Sequence, residues 1–502
     1  MRNKSDFPAL SESIGRIQSM ASSEKESGNR VPNQIRKEVA LPNKMLRLVN
    51  SAYFRPAGGG SISTVSRRGY RFVAPVETQP NTTEPHPAHA PLRSADLQQP
   101  DPCSDTSARR ASIAVMPFAN LASATPVRGG IADALAHDII TRLARLRSLF
   151  VIAQGTVFAL SEHHIDMREA GRLLKVDYIV SGTVRQHGVH LTVTTELIDT
   201  RTAHIVWTDL FDAPADDALA VLDAIGDQIV ACIASEIETS ERNRAILKPP
   251  NSLDAWEALH RGLWHMYRFN RSDNAQARHF FDMAVQHDPS FARAWAGLSF
   301  THFQNAFQGW GPRAAEVDRA FETASQSLIA DERNPAAHWA MGRATWLRGQ
   351  PDRAVAELTQ AIDLSPSFAL AHYTLAFVQA QAGDPLAAIM SSDHSRLLSP
   401  YDPLLFGMLG ARAIALVRLG QFDEAAHWAV EAAARPNAHA HIFGLAAFSL
   451  ALAGSLDAAR AHADIARKQL PNYSITHFLD AFQLDAQGMA RFRQGAQLLG
   501  MA

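Results

Sequence analysis

Ala336–Pro366 reads AAHWAMGRATWLRGQPDRAVAELTQAIDLSP, and its spacing decides the fold of the C-terminal half. Gly349 sits at its centre, with Gly342 seven residues before it, Ala354 five after, Ala361 twelve after, and Pro366 at the end. The pattern recurs around Gly383 (Ala376, Ala388, Pro400), Gly420 (Ala413, Ala425, Ala432) and Gly454 (Ala447, Ala459, Ala466, Pro471). The glycines are spaced by 34, 37 and 34 residues, and the prolines from Pro335 through Pro366, Pro400, Pro436 and Pro471 by 31, 34, 36 and 35. A period near 34 with no strand-like alternation is the length of two antiparallel helices and a tight turn. Each glycine is expected to end the first helix in a left-handed conformation. Each proline should end the second helix and open the next unit. The small residues mark where two helices cross closely.

This register resembles the tetratricopeptide repeat. An earlier unit ends with Ala277, Phe281, Ala284 and Pro289, and the 46 residues from Pro289 to Pro335 fit one further unit with a loop inserted near Gln308–Ala315. Five or six hairpins over residues 252–490 would share one core and curve around a concave groove. The resemblance implies a protein or peptide partner in that groove, without naming it.

Upstream of the repeats the period changes. Ser112–Phe118 and Leu149–Ala153 read as short buried strands, and Ile131–Arg147 as a helix with Ile131, Leu135, Ile139, Leu143 and Leu146 on one face. Val176–Arg185 and Val189–Asp199 flank His187-Gly188 as a strand pair, Ala203–Phe211 continues the meander, and Asp216–Glu238 returns to helical period. The blocks IAVMPFANL (Ile113–Leu121), GIADALAHDIITRLARLRSLFVIA (Gly130–Ala153), VDYIVSGTVRQHGVHLTVTTELIDT (Val176–Thr200) and HIVWTDLFD (His204–Asp212) resemble TolB-like modules in order. Ser123 and Ala124 depart from that pattern. The resemblance implies an α/β domain over residues 111–245 with a structural or sensory role.

From Met1 to Val76 there are thirteen Lys+Arg against five Asp+Glu, although the whole chain of 502 residues has a formal net charge of -2. A basic arm joined to a mildly acidic body suggests contact with nucleic acid at one end. Residues 1–40 read as a disordered basic tail. Residues 77–110, rich in Pro, Ser, Thr and Asp, read as a linker that cannot bury enough surface to order itself. Between them, ISTVSRRGYRFVAPV (Ile62–Val76) has two strand signals around a polar turn. Thr64-Val65, Arg68-Gly69-Tyr70 and Phe72 resemble the C-terminal hairpin, or wing, of OmpR-type winged helices. The resemblance implies double-stranded DNA as a partner, with Thr64, Arg67, Arg68, Tyr70 and Arg71 at the phosphates or the minor groove. Asn43–Ser51 is the candidate recognition helix, offering Lys44, Arg47 and Asn50. Only 61 residues precede the hairpin, too few for a complete domain of this kind, so residues 41–76 read as a remnant.

Catalytic signatures are missing from the sequence: no HExxH, GxSxG, Walker-type loop or strand-following GxGxxG occurs. His163-His164 are adjacent and would point apart on a helix, so they read as surface and not as a metal pair. Two cysteines, Cys103 and Cys232, make no disulfide framework and no metal cluster. Hydrophobic content of 46% and charged content of 20% fit folded protein, and no secretory leader or apolar run of membrane length appears. The expectation is a multidomain chain: partial winged helix, α/β TolB-like domain, then an all-α tetratricopeptide solenoid. It would be a cytoplasmic regulator that binds and does not catalyse, without cofactor or metal. The alternative is a repeat scaffold that has lost DNA binding.

Overall fold

The computed structural model describes residues 62–65, 69–72, 110–121, 130–161, 165–187, 190–214 and 218–501. Expectations for Lys44, Arg47, Asn50, Arg67, Arg68, Cys103, Ser123, Ala124 and His163-His164 lie outside them. The chain divides into two units, Met1–Asp101 and Pro102–Ala502.

In the first unit, β1 (Ile62–Val65) pairs antiparallel with β2 (Gly69–Phe72). The register sets Thr64 opposite Tyr70 and Ser63 opposite Arg71, as a hairpin centred on residues 66–68 requires.

The second unit opens with a mixed sheet. Its strands are β3 (Ser112–Val115), β4 (Ala119–Asn120), β5 (Phe150–Val151), β6 (Tyr178–His187), β7 (His190–Asp199) and β8 (His204–Pro214), in the order β5-β3-β6-β7-β8 with β4 also on β6. β3 runs parallel to both β5 and β6, while β6-β7-β8 form the antiparallel meander. Helix α1 (Ile131–Arg145) connects β3 and β4 to β5, and its buried Leu135, Ile139 and Leu143 pack on one sheet face. Each such side chain contributes about 1.5–3 kcal/mol on burial. Two helices not anticipated from sequence, α2 (Gln154–Ser161) and α3 (Met167–Leu174), cover the other face through Val157 and Ala170. Short length hid them, since eight residues hold barely two helical periods. Helix α4 (Ala218–Leu247) runs nine residues beyond the expected end at Glu238.

Seven helical pairs follow. They are α5 (Ala255–Met266) with α6 (Arg271–His287), α7 (Ala292–Phe307) with α8 (Arg313–Ala330), and α9 (Pro335–Leu347) with α10 (Pro351–Leu364). Next come α11 (Ala369–Ala382) with α12 (Pro385–Leu398), α13 (Leu405–Leu419) with α14 (Phe422–Ala433), and α15 (Ala440–Leu452) with α16 (Leu456–Gln469). A short closing pair is α17 (Ile475–Ala481) with α18 (Ala486–Leu498). The long interval before Pro335 comes mostly from α7 and α8, at 16 and 18 residues, and not from an inserted loop.

The repeat-defining positions take the places their size demands. Ala354, Ala376, Ala388, Ala413, Ala425, Ala447 and Ala459 are fully buried. A Cβ on Gly342 would come within 2.6 Å of Leu358 Cγ, so only glycine lets α9 and α10 approach this closely. Gly349, Gly420 and Gly454 adopt positive φ of 71°, 82° and 82°. At each, the following residue's N–H reaches back over the turn, as in Gln350 to Thr345 and Gln421 to Leu416. Gly383 departs from expectation, with φ −92° and ψ −151°. There Asp384 caps α12 by accepting from Leu386 N–H, with Pro385 in the first turn, so the chain enters the helix without a left-handed residue.

The prolines act more specifically than as helix breakers. Pro289, Pro366, Pro400, Pro436 and Pro471 each occupy the second position of a four-residue turn, closed for Pro366 by Phe368 N–H to Ser365 C=O. The equivalent turn before α9 is Asp331–Asn334, with Glu332 in that second position, and Pro335 instead begins the helix. The repeat from Glu332 to Pro366 is therefore 34 residues, and the irregular 31 is a shift of the proline alone. No helix among the described residues is long and apolar enough to cross a membrane.

Candidate functional site

The first helices of the repeats (α5, α7, α9, α11, α13 and α15) turn inward, and their inner face is aromatic. Phe307 on α7 packs against Phe377 on α11, His441 on α15 and Phe482 after α17, with ring centroids 5.4–6.1 Å apart. Phe269 meets Phe406 at 5.0 Å. Residues more than a hundred positions apart thus touch across the curve of the stack, and the expected groove is filled by the chain's own rings.

Both rims of this interior are covered. On the rim formed by the unit-to-unit turns lies α4. Its Asp227 accepts from Ser367 Oγ at 2.6 Å, its Ala231 packs with Ala369 and Leu398, and its Glu238 pairs with Arg293 and accepts from Tyr267. On the opposite rim, at the C-terminal ends of the first helices, lies the segment after α17. Gln483 Nε2 donates to Trp346 C=O at 2.6 Å, Asp485 bonds the guanidinium of Arg418 at 2.6 Å, and Arg491 donates to the carbonyls of Val417 and Arg418. The groove anticipated for a protein or peptide is therefore occupied in this conformation.

The junction of the sheet with the repeats is a buried polar network. Glu241 on α4 accepts from Tyr178 OH at 2.8 Å and from Trp256 Nε1 at 2.8 Å, and pairs with Arg244. Arg244 also bonds Asp199 at 3.0 Å, and Arg201 reaches both Asp199 and Asp177 at 3.1 Å. Burial beside Glu241 pushes the Tyr178 hydroxyl well above its ordinary range, so it remains a donor. Near this junction a cavity of about 100 Å³ is lined by Glu238, Arg242, Arg293 and Asp402. Burial raises Glu238, but Arg293 and Arg242 outweigh it and hold the carboxylate at about 2. Among the described residues no cation pairs with Asp402, and burial, with the charge of Glu238, pushes it up to about 6 despite hydrogen bonds from Leu404 N–H and Ser399 and the more distant Arg242.

At the centre of the repeat interior lies a different arrangement. Arg343 on α9 is 3% exposed, and its guanidinium carbon is 4.8–5.9 Å from the ring centroids of Phe300, Phe303, Trp339, Tyr373 and Phe377. Its Nε donates to Thr374 Oγ1 at 3.2 Å, the guanidinium also donates to the Tyr373 hydroxyl, and its Nη2 is buried without a partner. Among the described residues no carboxylate pairs with it; the polar side chains nearby are neutral. Burial lowers its hold on the proton, yet a guanidinium remains charged in a protein. Gln304 Oε1 and His439 Nδ1 are likewise buried and unpartnered beside the same cavity, which measures about 30 Å³. Burial and the neighbouring His441 hold His439 well below its ordinary range, so it is neutral at pH 7.

The sequence-proposed nucleic-acid residues are divided by the described regions. Thr64, Tyr70 and Arg71 lie on the hairpin strands, and Lys44, Arg47, Arg67 and Arg68 lie outside. Arg343 and Glu241 were not singled out from sequence. A signal for Arg343 existed: it is the one arginine in a thirteen-residue helix, PAAHWAMGRATWL, otherwise apolar nearly all round, which marks a helix buried on every side.

Residues 109–228 match the family model of the HilA/YgeH-like transcriptional regulator, second domain. A protein of Rhizobium meliloti (strain 1021), provisionally named adenylate cyclase 3, is 29% identical over 239 residues. That match takes in 47% of this chain and 40% of the relative, so the chain spans well under two thirds of that protein. Among solved structures, TolB from Acinetobacter baumannii matches at 17% identity and TM-score 0.19, over 26% of this chain and 28% of that one. Pseudomonas aeruginosa pilF matches at 18% and 0.32, over 48% and 97%. The Cut9-Hcn1 hetero-tetramer of the APC/C matches at 16% and 0.36, over 56% and 52%. The part of this chain between its hairpin and its repeats is thus similar to a domain of transcriptional regulators.

Proposed function

We propose that the chain is a transcriptional regulator that contacts double-stranded DNA through its N-terminal segment and receives its input through the helical repeats. The observation that carries this reading is the match of residues 109–228 to the second domain of HilA/YgeH-like regulators, between a hairpin with an OmpR-type motif and a repeat stack. On this reading Arg67, Arg68, Arg71 and Thr64 meet the backbone or minor groove, Tyr70 supports the hairpin, and Lys44 and Arg47 face the major groove. The TolB-like module transmits between the two, through the Glu241 network and α4. The chain acts by binding, in the cytoplasm where its operator lies, and has no catalytic role of its own.

A gel-shift titration of the full chain against its own promoter region tests the proposal. The expected result is a sequence-selective shift that weakens steeply with salt and is lost on changing Arg67 and Arg68 to Ala. No shift at low salt would sink the DNA reading. A second reading, a repeat scaffold without DNA binding, is favoured by the 239-residue similarity to a protein whose name describes an enzyme and not a DNA-binding factor. Formation of cyclic AMP from ATP by the purified chain would overturn the non-catalytic part of the proposal.

A further inference from the structure

We infer that the interior of the repeat stack binds a small monocarboxylate, of one or two carbons, with its carboxylate on Arg343. The interior is closed on one rim by α4 and on the other by the segment around Gln483 and Asp485, so an occupant must be small. The cavity of about 30 Å³ has room for roughly two waters, the size range of formate to acetate.

The chemistry of the walls fixes the sign and shape of that occupant. Arg343 cannot shed its proton, and among the described residues it has no counter-charge. Aromatic faces compensate part of the cation's lost hydration, but they leave Nη2 without an acceptor. A planar carboxylate matches the guanidinium fork with two parallel hydrogen bonds, which a spherical halide cannot do. Two further unpartnered groups at the same cavity can donate to it. His439 is neutral and can carry its proton on Nδ1, and the Gln304 amide can turn to present its NH₂. The remaining walls, including Phe406, Ile414 and Leu445, suit a methyl end.

This site stands independently of the DNA reading: failure of the gel shift leaves it untouched, and its own failure leaves the gel shift untouched. The test uses the full chain in a chloride-free sulfonate buffer. Carbon-13-labelled acetate is titrated by NMR, and thermal unfolding is followed with formate, acetate, propionate, sodium chloride and inorganic phosphate. Saturable acetate broadening and a concentration-dependent rise in Tm with formate and acetate, but not with the larger propionate, are expected. Arg343→Met should abolish both while keeping the helical far-UV spectrum, and Gln304→Leu should weaken acetate binding about tenfold, a measurement that stands if the first variant fails to fold. Saturation by chloride or phosphate without acetate would overturn the assignment to a carboxylate. Absence of any saturable effect, or an equal effect in folded Arg343→Met, would overturn the site itself.

Discussion

Two buried charges in the same compact unit are treated in opposite ways. Glu241, at the junction of sheet and repeats, is 7% exposed and is held by Tyr178, Trp256, Arg244 and Arg201. Arg343, at the centre of the repeats, is 3% exposed and has two neutral hydroxyls, of Thr374 and Tyr373, a cage of rings and an unpartnered nitrogen. A satisfied network holds elements in one arrangement, whereas an unsatisfied charge is poised to bind. The difference separates a structural joint from a receiving site, and it can be tested from both ends.

The largest effect is expected at the joint. Glu241→Ala should cost about 3–5 kcal/mol in urea or thermal unfolding, because it strands the Tyr178 hydroxyl and the Trp256 indole together and leaves Arg244 with Asp199 alone. Glu241→Gln keeps one acceptor oxygen and should lose less. A loss below about 1 kcal/mol would show that the two modules do not depend on this network.

The cavity beside the joint gives a pH-dependent comparison. Asp402 is held protonated up to about 6 in the folded chain, against an ordinary 3.8. Between those values the native state binds a proton that the unfolded chain has released, so stability falls as pH rises through this window. Above about 6 both states are ionised and the penalty is constant. Asp402→Asn keeps an acceptor for Leu404 N–H and removes that penalty. It should therefore stabilise by about 3 kcal/mol at pH 7.5 and by only about 0.5 kcal/mol near pH 4. An equal gain at both pH values would show that the charge is not the cause.

How much of this was legible in the sequence follows from what each feature depends on. The small positions were legible because helix crossing demands small side chains at fixed spacing, and Ala354 through Ala459 are buried where that spacing put them. The turn at Gly383 was not, because an Asp-Pro pair following a glycine can enter a helix by either route. The closure of the groove was hidden for a deeper reason. Phe307 meets His441 and Phe482 only after several hairpins accumulate curvature, and no local pattern encodes that sum. Arg343 was readable as a charge in an apolar helix, but its lack of a counter-ion depends on all the surrounding repeats.

At the receiving site the expected sign reverses. In carboxylate-free buffer Arg343→Met should raise stability by about 1–2 kcal/mol, since an unpaired charge is replaced by an apolar chain that still fills the cage. A loss above about 1 kcal/mol would show that the rings alone compensate the cation, and the contrast with Glu241 would weaken.

The smallest effect isolates the helix that carries Arg343. Gly349 ends α9 at φ 71°, and nothing lies within 4 Å of a Cβ built there. Gly349→Ala therefore meets no clash and should cost about 1 kcal/mol through backbone conformation alone. Gly349→Asn, which tolerates the left-handed region better, should recover part of that loss. Combined with Arg343→Met, the turn variant should add within about 0.5 kcal/mol, because the two residues share no partner. Additivity would mean that packing against its neighbours positions Arg343 and the turn merely ends its helix. A coupling well above that value would mean that the turn sets the depth of the guanidinium in its cage, and that the repeat period itself, and not only the aromatic lining, places the charge.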